Sequence, residues 1–248
     1  MTLPIPDSAR TTLPERTYER LRNLIVRGRI PSGARVIEAE VALRFGVSRT
    51  PVREAFSRLI HDRYLVPVTS GKRTELAVAP FTAEDVRELW EIIGSLESYA
   101  ASMTAILPET RRIKVADELR RINLELRAAA AERPRNADKL SELQTGFHQG
   151  FVLETAGPHM RSIYGALRPQ VQRYEWIYGT HAQADYAPSI AEHMTIIAAI
   201  REGNAEGARN AVIRHWHEAI SRTSKVIRPA PFASPRVKPR RKSLKGKT

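Results

Sequence analysis

Residues 45–56 read Phe45-Gly46-Val47-Ser48-Arg49-Thr50-Pro51-Val52-Arg53-Glu54-Ala55-Phe56. Gly46 permits a sharp turn, and Pro51 suits the first turn of a helix, where its missing N–H costs nothing. Ser48 or Thr50 can cap that helix, while Val52, Ala55, Phe56 and Leu59 share one apolar face. Arg49 and Arg53 stand one helical turn apart and project from its N-terminal end. Arginine there can bond guanine bidentately or pair with phosphate. The Ser48 and Thr50 hydroxyls, with the free N–H groups of the first turn, can hold phosphate oxygens. A short helix that presents its first turns to base edges is the reading element of a helix-turn-helix.

The flanking sequence fits around that element. Upstream, the segment 14–28 places Tyr18, Leu21, Leu24 and Ile25 on one side of a short helix. Pro31-Ser32-Gly33 reads as a turn, and Ile37–Phe45 as a second short helix. Downstream, Tyr64–Val68 and Thr74–Val78 are two β-prone runs joined by a polar tip, Thr69-Ser70-Gly71-Lys72-Arg73. Lys72 and Arg73 at that tip are placed to follow an adjacent groove or the backbone. Helix, helix, turn, helix, hairpin is the order of a winged helix-turn-helix, expected over residues 13–80 behind a flexible arm, 1–12.

Beyond Pro80 the pattern turns helical. Thr82-Ala83-Glu84-Asp85 is a helix-start signal, and Val86, Leu89, Trp90, Ile93, Leu96 and Ala100 trace one face. Further helices are expected at about 110–131, 138–156, 159–178, 189–202 and 204–227, with Pro169 kinking one of them. The fold class is therefore mainly α: an N-terminal winged helix-turn-helix and an antiparallel all-helical bundle over residues 81–228.

Composition narrows the function classes. The chain has 248 residues, comfortable for two domains, and no cysteine, which excludes disulfides, thiolate metal sites and cysteine nucleophiles. No stretch approaches the ~18 apolar residues of a membrane span, and the segment MTLPIPDSAR lacks the apolar core of a secretory signal. A cytoplasmic protein without membrane contact is expected. About half of the net charge of +13 sits in residues 229–248, which hold seven Lys and Arg and no acid. That segment reads as a disordered basic tail, able to bind any polyanion without reading sequence. A solubilising role and an auxiliary DNA contact fit it equally.

In the helical part, Gln144 and His148 lie four residues apart, on one face of a helix. His193 shares its face with Ile190, Ile197 and Ile200, and His215 shares its face with Ala208, Val212 and Ala219. Three histidines thus sit on the apolar faces of three helices. Buried imidazoles need partners, and either hydrogen bonds within a core or one shared metal ion would supply them.

The segment Val47–Phe56, with Pro31–Glu38 and the wing glycine Gly71, resembles the GntR family of bacterial regulators, whose signature reads close to VSRTPVREAL. Residues 82–222 are similar to the helical FCD ligand-binding domain of its FadR-type subgroup. Gln144-Thr145-Gly146-Phe147-His148, Glu192-His193-Met194 and Arg214-His215-Trp216 match the segments that hold a divalent metal in many members. The resemblance implies a homodimer that binds a pseudo-palindromic double-stranded DNA operator, more often as a repressor than an activator. It also implies a zinc- or nickel-type ion on His148, His193, His215 and Gln144, beside a small-molecule effector such as an organic acid. Three positions depart from the family pattern. Ala39 stands where a DNA-contacting Arg is frequent. Gln144 replaces the usual Asp and brings no charge, so the metal should be held less tightly. Ile93 occupies a position where acid-sensing members have Arg, and Arg173 is the nearest candidate for the missing cation. Two other classes fit the sequence less well. A metal-dependent hydrolase would need a carboxylate beside the ion, but no HExxH-type helix supplies one and Glu192 is turned about 100° from His193. An effector-free DNA-architectural protein would leave the large bundle without a task.

Overall fold

The computed structural model describes residues 11–70 and 73–226. Most of the arm and all of the basic tail, like Gly71 and Lys72, lie outside the described residues. Three helices open the chain: α1 (Leu13–Val26), α2 (Glu38–Phe45) and α3 (Arg49–His61). The Thr12 hydroxyl accepts from the Glu15 N–H at 3.4 Å to start α1. Gly46 closes α2 in the left-handed region (φ 67°), which only glycine enters without cost, and Val47 N–H returns to the Ala42 carbonyl. Tyr18, Leu21 and Ile25 of α1 and Val52, Phe56 and Leu59 of α3 meet in one core, each at most 4% exposed. Burial of such side chains stabilises by about 1.5–3 kcal/mol each.

The cap expected at the start of α3 is not made. Ser48 occupies the N-cap position with extended backbone, but its side chain accepts no capping bond. The reason is local: the third helical residue, a usual donor to an N-cap oxygen, is Pro51, which has no N–H. Thr50 is the second residue of the helix. Both hydroxyls belong to exposed residues.

Strands β1 (Leu65–Ser70) and β2 (Arg73–Val78) pair antiparallel, with Leu65 opposite Val78 and Ser70 opposite Arg73. The hairpin tip is thus two residues rather than five, and Arg73 belongs to the strand. A short third segment, unmarked in the sequence pattern, pairs with the other edge of β2. Val36 N–H donates to the Leu76 carbonyl and Val78 N–H to the Ala34 carbonyl, both at 2.9 Å. Four residues are too few to leave a readable alternation.

The helical domain contains α4 (Ala83–Ala105), α5 (Glu109–Ala131), α6 (Ala137–Thr155), α7 (Pro158–Thr180), α8 (Ala187–Glu202) and α9 (Ala205–Val226). Thr82 caps α4, its hydroxyl accepting from the Asp85 N–H at 3.0 Å. α7 continues through Pro169 to Thr180. The core is built by Trp90 and Ile93 of α4, Phe147 and Phe151 of α6, Ile196 and Ile200 of α8, and Val212 and Trp216 of α9.

The domains meet where the end of α1 lies against α6 and α7. Trp176 of α7 lies against Gly28 at the end of α1, and its indole N–H donates to Asp138 at 3.0 Å. Asp138 and Glu142 of α6 draw Arg27, at 3.6 and 3.2 Å. The linker itself is held by Arg173, whose Nη2 donates to the Ala79 carbonyl at 2.6 Å. Next along the linker, Phe81 is buried edge-on against Tyr174, with ring centroids 4.9 Å apart.

Candidate metal centre and nucleic-acid interface

On α3, Ser48, Arg49, Thr50, Arg53 and Glu54 form an exposed face opposite the buried Val52, Ala55 and Phe56. Arg53 lies 3.5 Å from Glu38 of α2 in an exposed pair that contributes little to stability. The two arginines thus stand on a rigid support while their guanidiniums face solvent. Arg73 is exposed on β2 of the same domain.

In the helical domain His148 (α6), His193 (α8) and His215 (α9) converge, with one ligand atom from each lying within 4.8 Å of the others. All three are at most 2% exposed. Their outward partners fix which nitrogen is free. His148 Nδ1 lies 2.7 Å from Glu97 Oε2 and His215 Nδ1 lies 2.8 Å from Glu192 Oε2. An ionised carboxylate only accepts, so both Nδ1 atoms carry the proton. His193 Nδ1 lies 3.0 Å from Asn123 Oδ1, the amide being oriented by its own Nδ2, which donates to the Ile190 carbonyl. His193 Nδ1 is therefore a donor too, and all three Nε2 lone pairs remain. His148 Nε2, His193 Nε2 and Gln144 Oε1 are buried without a hydrogen-bond partner among the described residues.

The electrostatics favour neutral imidazoles at His193 and His215. Burial pulls His193 well below its ordinary value, and the neighbouring His215 and His148 add to this. Burial also lowers His215, against the opposing effect of the hydrogen bond it donates to Glu192. Burial would raise the Glu97 carboxyl, but His148 above all, then Arg168 and the Trp216 indole, outweigh it and hold Glu97 low. Glu97 accepts from His148, from Trp216 Nε1 at 2.8 Å and from the Tyr164 hydroxyl at 2.9 Å. Three acceptor atoms on a dry wall, each imidazole oriented from behind by an oxygen, form a donor set that fits a divalent ion of the zinc or nickel type.

A cavity of about 30 Å³ borders this centre, lined by Gln144, Glu175, Ser189, His215 and Arg222 among others. Arg222 forks onto Glu192 at 2.6 and 2.8 Å and reaches Ser189 Oγ at 3.1 Å. Glu175 receives both terminal nitrogens of the buried Arg168, at 3.0 and 2.9 Å. Arg173, the cation expected here from the sequence, is not in this cavity. Residues 168 and 175 are seven apart and share a face of α7, whereas 173 points to the linker.

Several functional residues carry no mark in the sequence reading. Glu97, Asn123, Tyr164 and Arg222 were all missed, and Glu192 stands behind His215 as its orienting acceptor instead of serving as a base. Glu97 had a readable signal: it lies four residues after Ile93 and three before Ala100, a carboxylate inside an apolar stripe.

Residues 13–75 match the family model of "Bacterial regulatory proteins, gntR family", and residues 88–218 match the FCD domain. The chain is 24% identical over 212 residues to an "Uncharacterized HTH-type transcriptional regulator YdhC" of Bacillus subtilis, covering 85% of this chain and 90% of the other. It is 27% identical over 206 residues to a "Probable D-xylose utilization operon transcriptional repressor" of Paenarthrobacter nicotinovorans, covering 83% and 86%. Among solved structures, Escherichia coli McbR/YncC superposes with a TM-score of 0.68 at 19% identity, covering 87% of this chain and 99% of that one, which shows a shared fold. Among the described residues no helix is long and apolar enough to cross a membrane. A winged helix-turn-helix that matches the gntR model, with an FCD domain behind it, makes this chain a member of the gntR family of bacterial transcriptional regulators, not an enzyme.

Proposed function

We propose that the protein is a cytoplasmic, homodimeric repressor that reads a pseudo-palindromic operator and is released or tightened by a small effector bound beside a metal in its helical domain. Arg49 and Arg53 read base edges, and Ser48, Thr50 and Arg73, together with Gly71 and Lys72 of the wing tip, contact the backbone. His148, His193, His215 and Gln144 hold the metal, which would supply a Lewis-acid position for an oxygen donor of the effector. The effector is a small organic acid, whose carboxylate can take the place of Glu192 on Arg222 at the edge of the adjoining cavity. The observation that carries the sensor reading is the pair of buried, unpartnered Nε2 atoms of His148 and His193, with all three imidazoles oriented by an oxygen on the far side.

Dimerisation is supported by a stripe along α4 and its C-cap residue, Ile106. Ile92, Tyr99 and Ile106 are seven residues apart and 40–60% exposed, and Ile163 of the neighbouring α7 is 52% exposed. Apolar residues at heptad spacing on an open helix face suit a second copy of the same surface. Metal analysis of purified protein tests the centre: about one divalent ion per chain is expected, lost in His148→Ala and in His215→Ala. Stoichiometric metal in both variants would refute it.

A further inference from the structure

A cleft of about 660 Å³ lies between the two domains, within the size range of small-molecule sites. Tyr64, Val66 and Pro67 of the DNA-binding head form one wall; Leu89 of α4 and Leu167 of α7 belong to the other. The cleft shares no lining residue with the cavity at the histidines: Tyr174 borders one and Glu175 the other, on different faces of α7.

At the inner end of the cleft lies Arg173, 5% exposed. Its guanidinium stacks 4.1 Å above the Phe81 ring and gives one hydrogen bond, to the Ala79 carbonyl. Among the described residues its Nε has no partner and no carboxylate pairs with it. The Tyr64 hydroxyl beside the cleft is also buried without a partner. A buried cation with no carboxylate in contact and without a full set of acceptors is costly, and burial holds Arg173 down to about 10 against the more distant pull of Asp85. The group that relieves both deficits at once is a carboxylate, which takes two guanidinium N–H groups in parallel. Asp62, Asp85 and Glu88 also line the cleft, against Arg63, so a second negative charge on a ligand would be repelled. The remaining walls are largely apolar.

We propose that this interdomain cleft is a second small-molecule site, separate from the histidine centre, that takes monocarboxylates with an apolar body, the carboxylate resting on Arg173. Both domains wall the site, so occupancy is linked to their relative placement and hence to DNA affinity.

Octanoate, with 1-octanol as its uncharged counterpart, tests this by isothermal titration calorimetry on the full chain. Saturable binding of one octanoate per chain is expected, at least tenfold tighter than octanol. His148→Ala should retain it, which separates this site from the metal centre. Arg173→Gln should weaken it tenfold or more. Should Arg173→Gln fail to fold, Leu89→Glu, at a partly exposed wall position, should give the same loss through charge repulsion. The proposal is overturned if octanoate does not saturate, if octanol binds equally well, if both cleft variants that fold bind as the parent does, or if His148→Ala that keeps the parent's helical content loses binding.

Discussion

Replacing Glu97 by Gln tests the metal centre from behind its ligands. The carboxylate is fully buried and accepts three hydrogen bonds, two on Oε2 (His148 and Trp216) and one on Oε1 (Tyr164). Glutamine is nearly isosteric but offers one oxygen and two N–H donors. Its best orientation keeps the oxygen on His148 and Trp216 and turns the amide nitrogen to Tyr164, whose hydroxyl must then accept. The negative charge that polarises His148 is lost in any orientation. Loss of charge-assisted bonds at a buried site costs about 1.5–3 kcal/mol, which lowers Tm by roughly 2–4 °C per kcal/mol for a protein of this size. Outer partners of metal-bound histidines contribute about 10–100-fold to metal affinity. Competition against a chelator should therefore show Glu97→Gln losing zinc or nickel at least tenfold more readily than the parent, with Tm lower by several degrees. Unchanged metal affinity together with an unchanged Tm would show that the Glu97–His148 bond does not organise the centre.

Other perturbations follow from single residues. Gln144→Asp adds a charge to the ligand set and should tighten metal retention by about tenfold, or ~1.4 kcal/mol, in the same chelator assay; no change would remove Gln144 from the set. Gly28→Ala meets two obstacles, a left-handed backbone (φ 61°) and a Cβ only 2.4 Å from Trp176 Cζ3. The backbone term alone costs roughly 1–2 kcal/mol, so scanning calorimetry should show a Tm lower by several degrees, and an unaltered scan would refute the tight Gly28–Trp176 contact. Tyr99→Glu combined with Ile106→Glu places charges on the exposed stripe of α4 and should convert dimer to monomer in sedimentation velocity, with the helical content kept. A dimer that survives both changes must use another face.

The parts legible in the sequence were those with a period or a punctuating residue. Helices α5 to α9 end within about two residues of their expected bounds because Pro108, Pro158, Gly157 and Gly203 mark them, and α4 starts where Thr82 signals it. The hairpin tip was read too long because Thr69, Ser70 and Arg73 are polar, although strand pairing and not polarity sets a turn. The histidines were visible as polar residues on apolar faces. Their partners were not, because Glu97, Asn123, Glu192 and Arg222 act across helices 23 to 70 residues apart, and one helix's spacing says nothing of its neighbour. Arg173, the cation expected to make up for Ile93, turns instead to the linker, because residue 173 lies on a different face of α7 from 168 and 175.

The central claim is that α3 reads DNA through Arg49 and Arg53. Both are exposed, and Arg53 has only the weak pair with Glu38, so their removal should leave Tm and oligomeric state within error. An operator selected by the parent protein from random duplex DNA supplies the probe for fluorescence anisotropy. Each base contact is worth about 1–3 kcal/mol, so Arg49→Ala with Arg53→Ala should weaken specific binding by about 100-fold or more and leave a residual, salt-sensitive, sequence-independent affinity. Undiminished specific binding by the folded double variant would contradict the account.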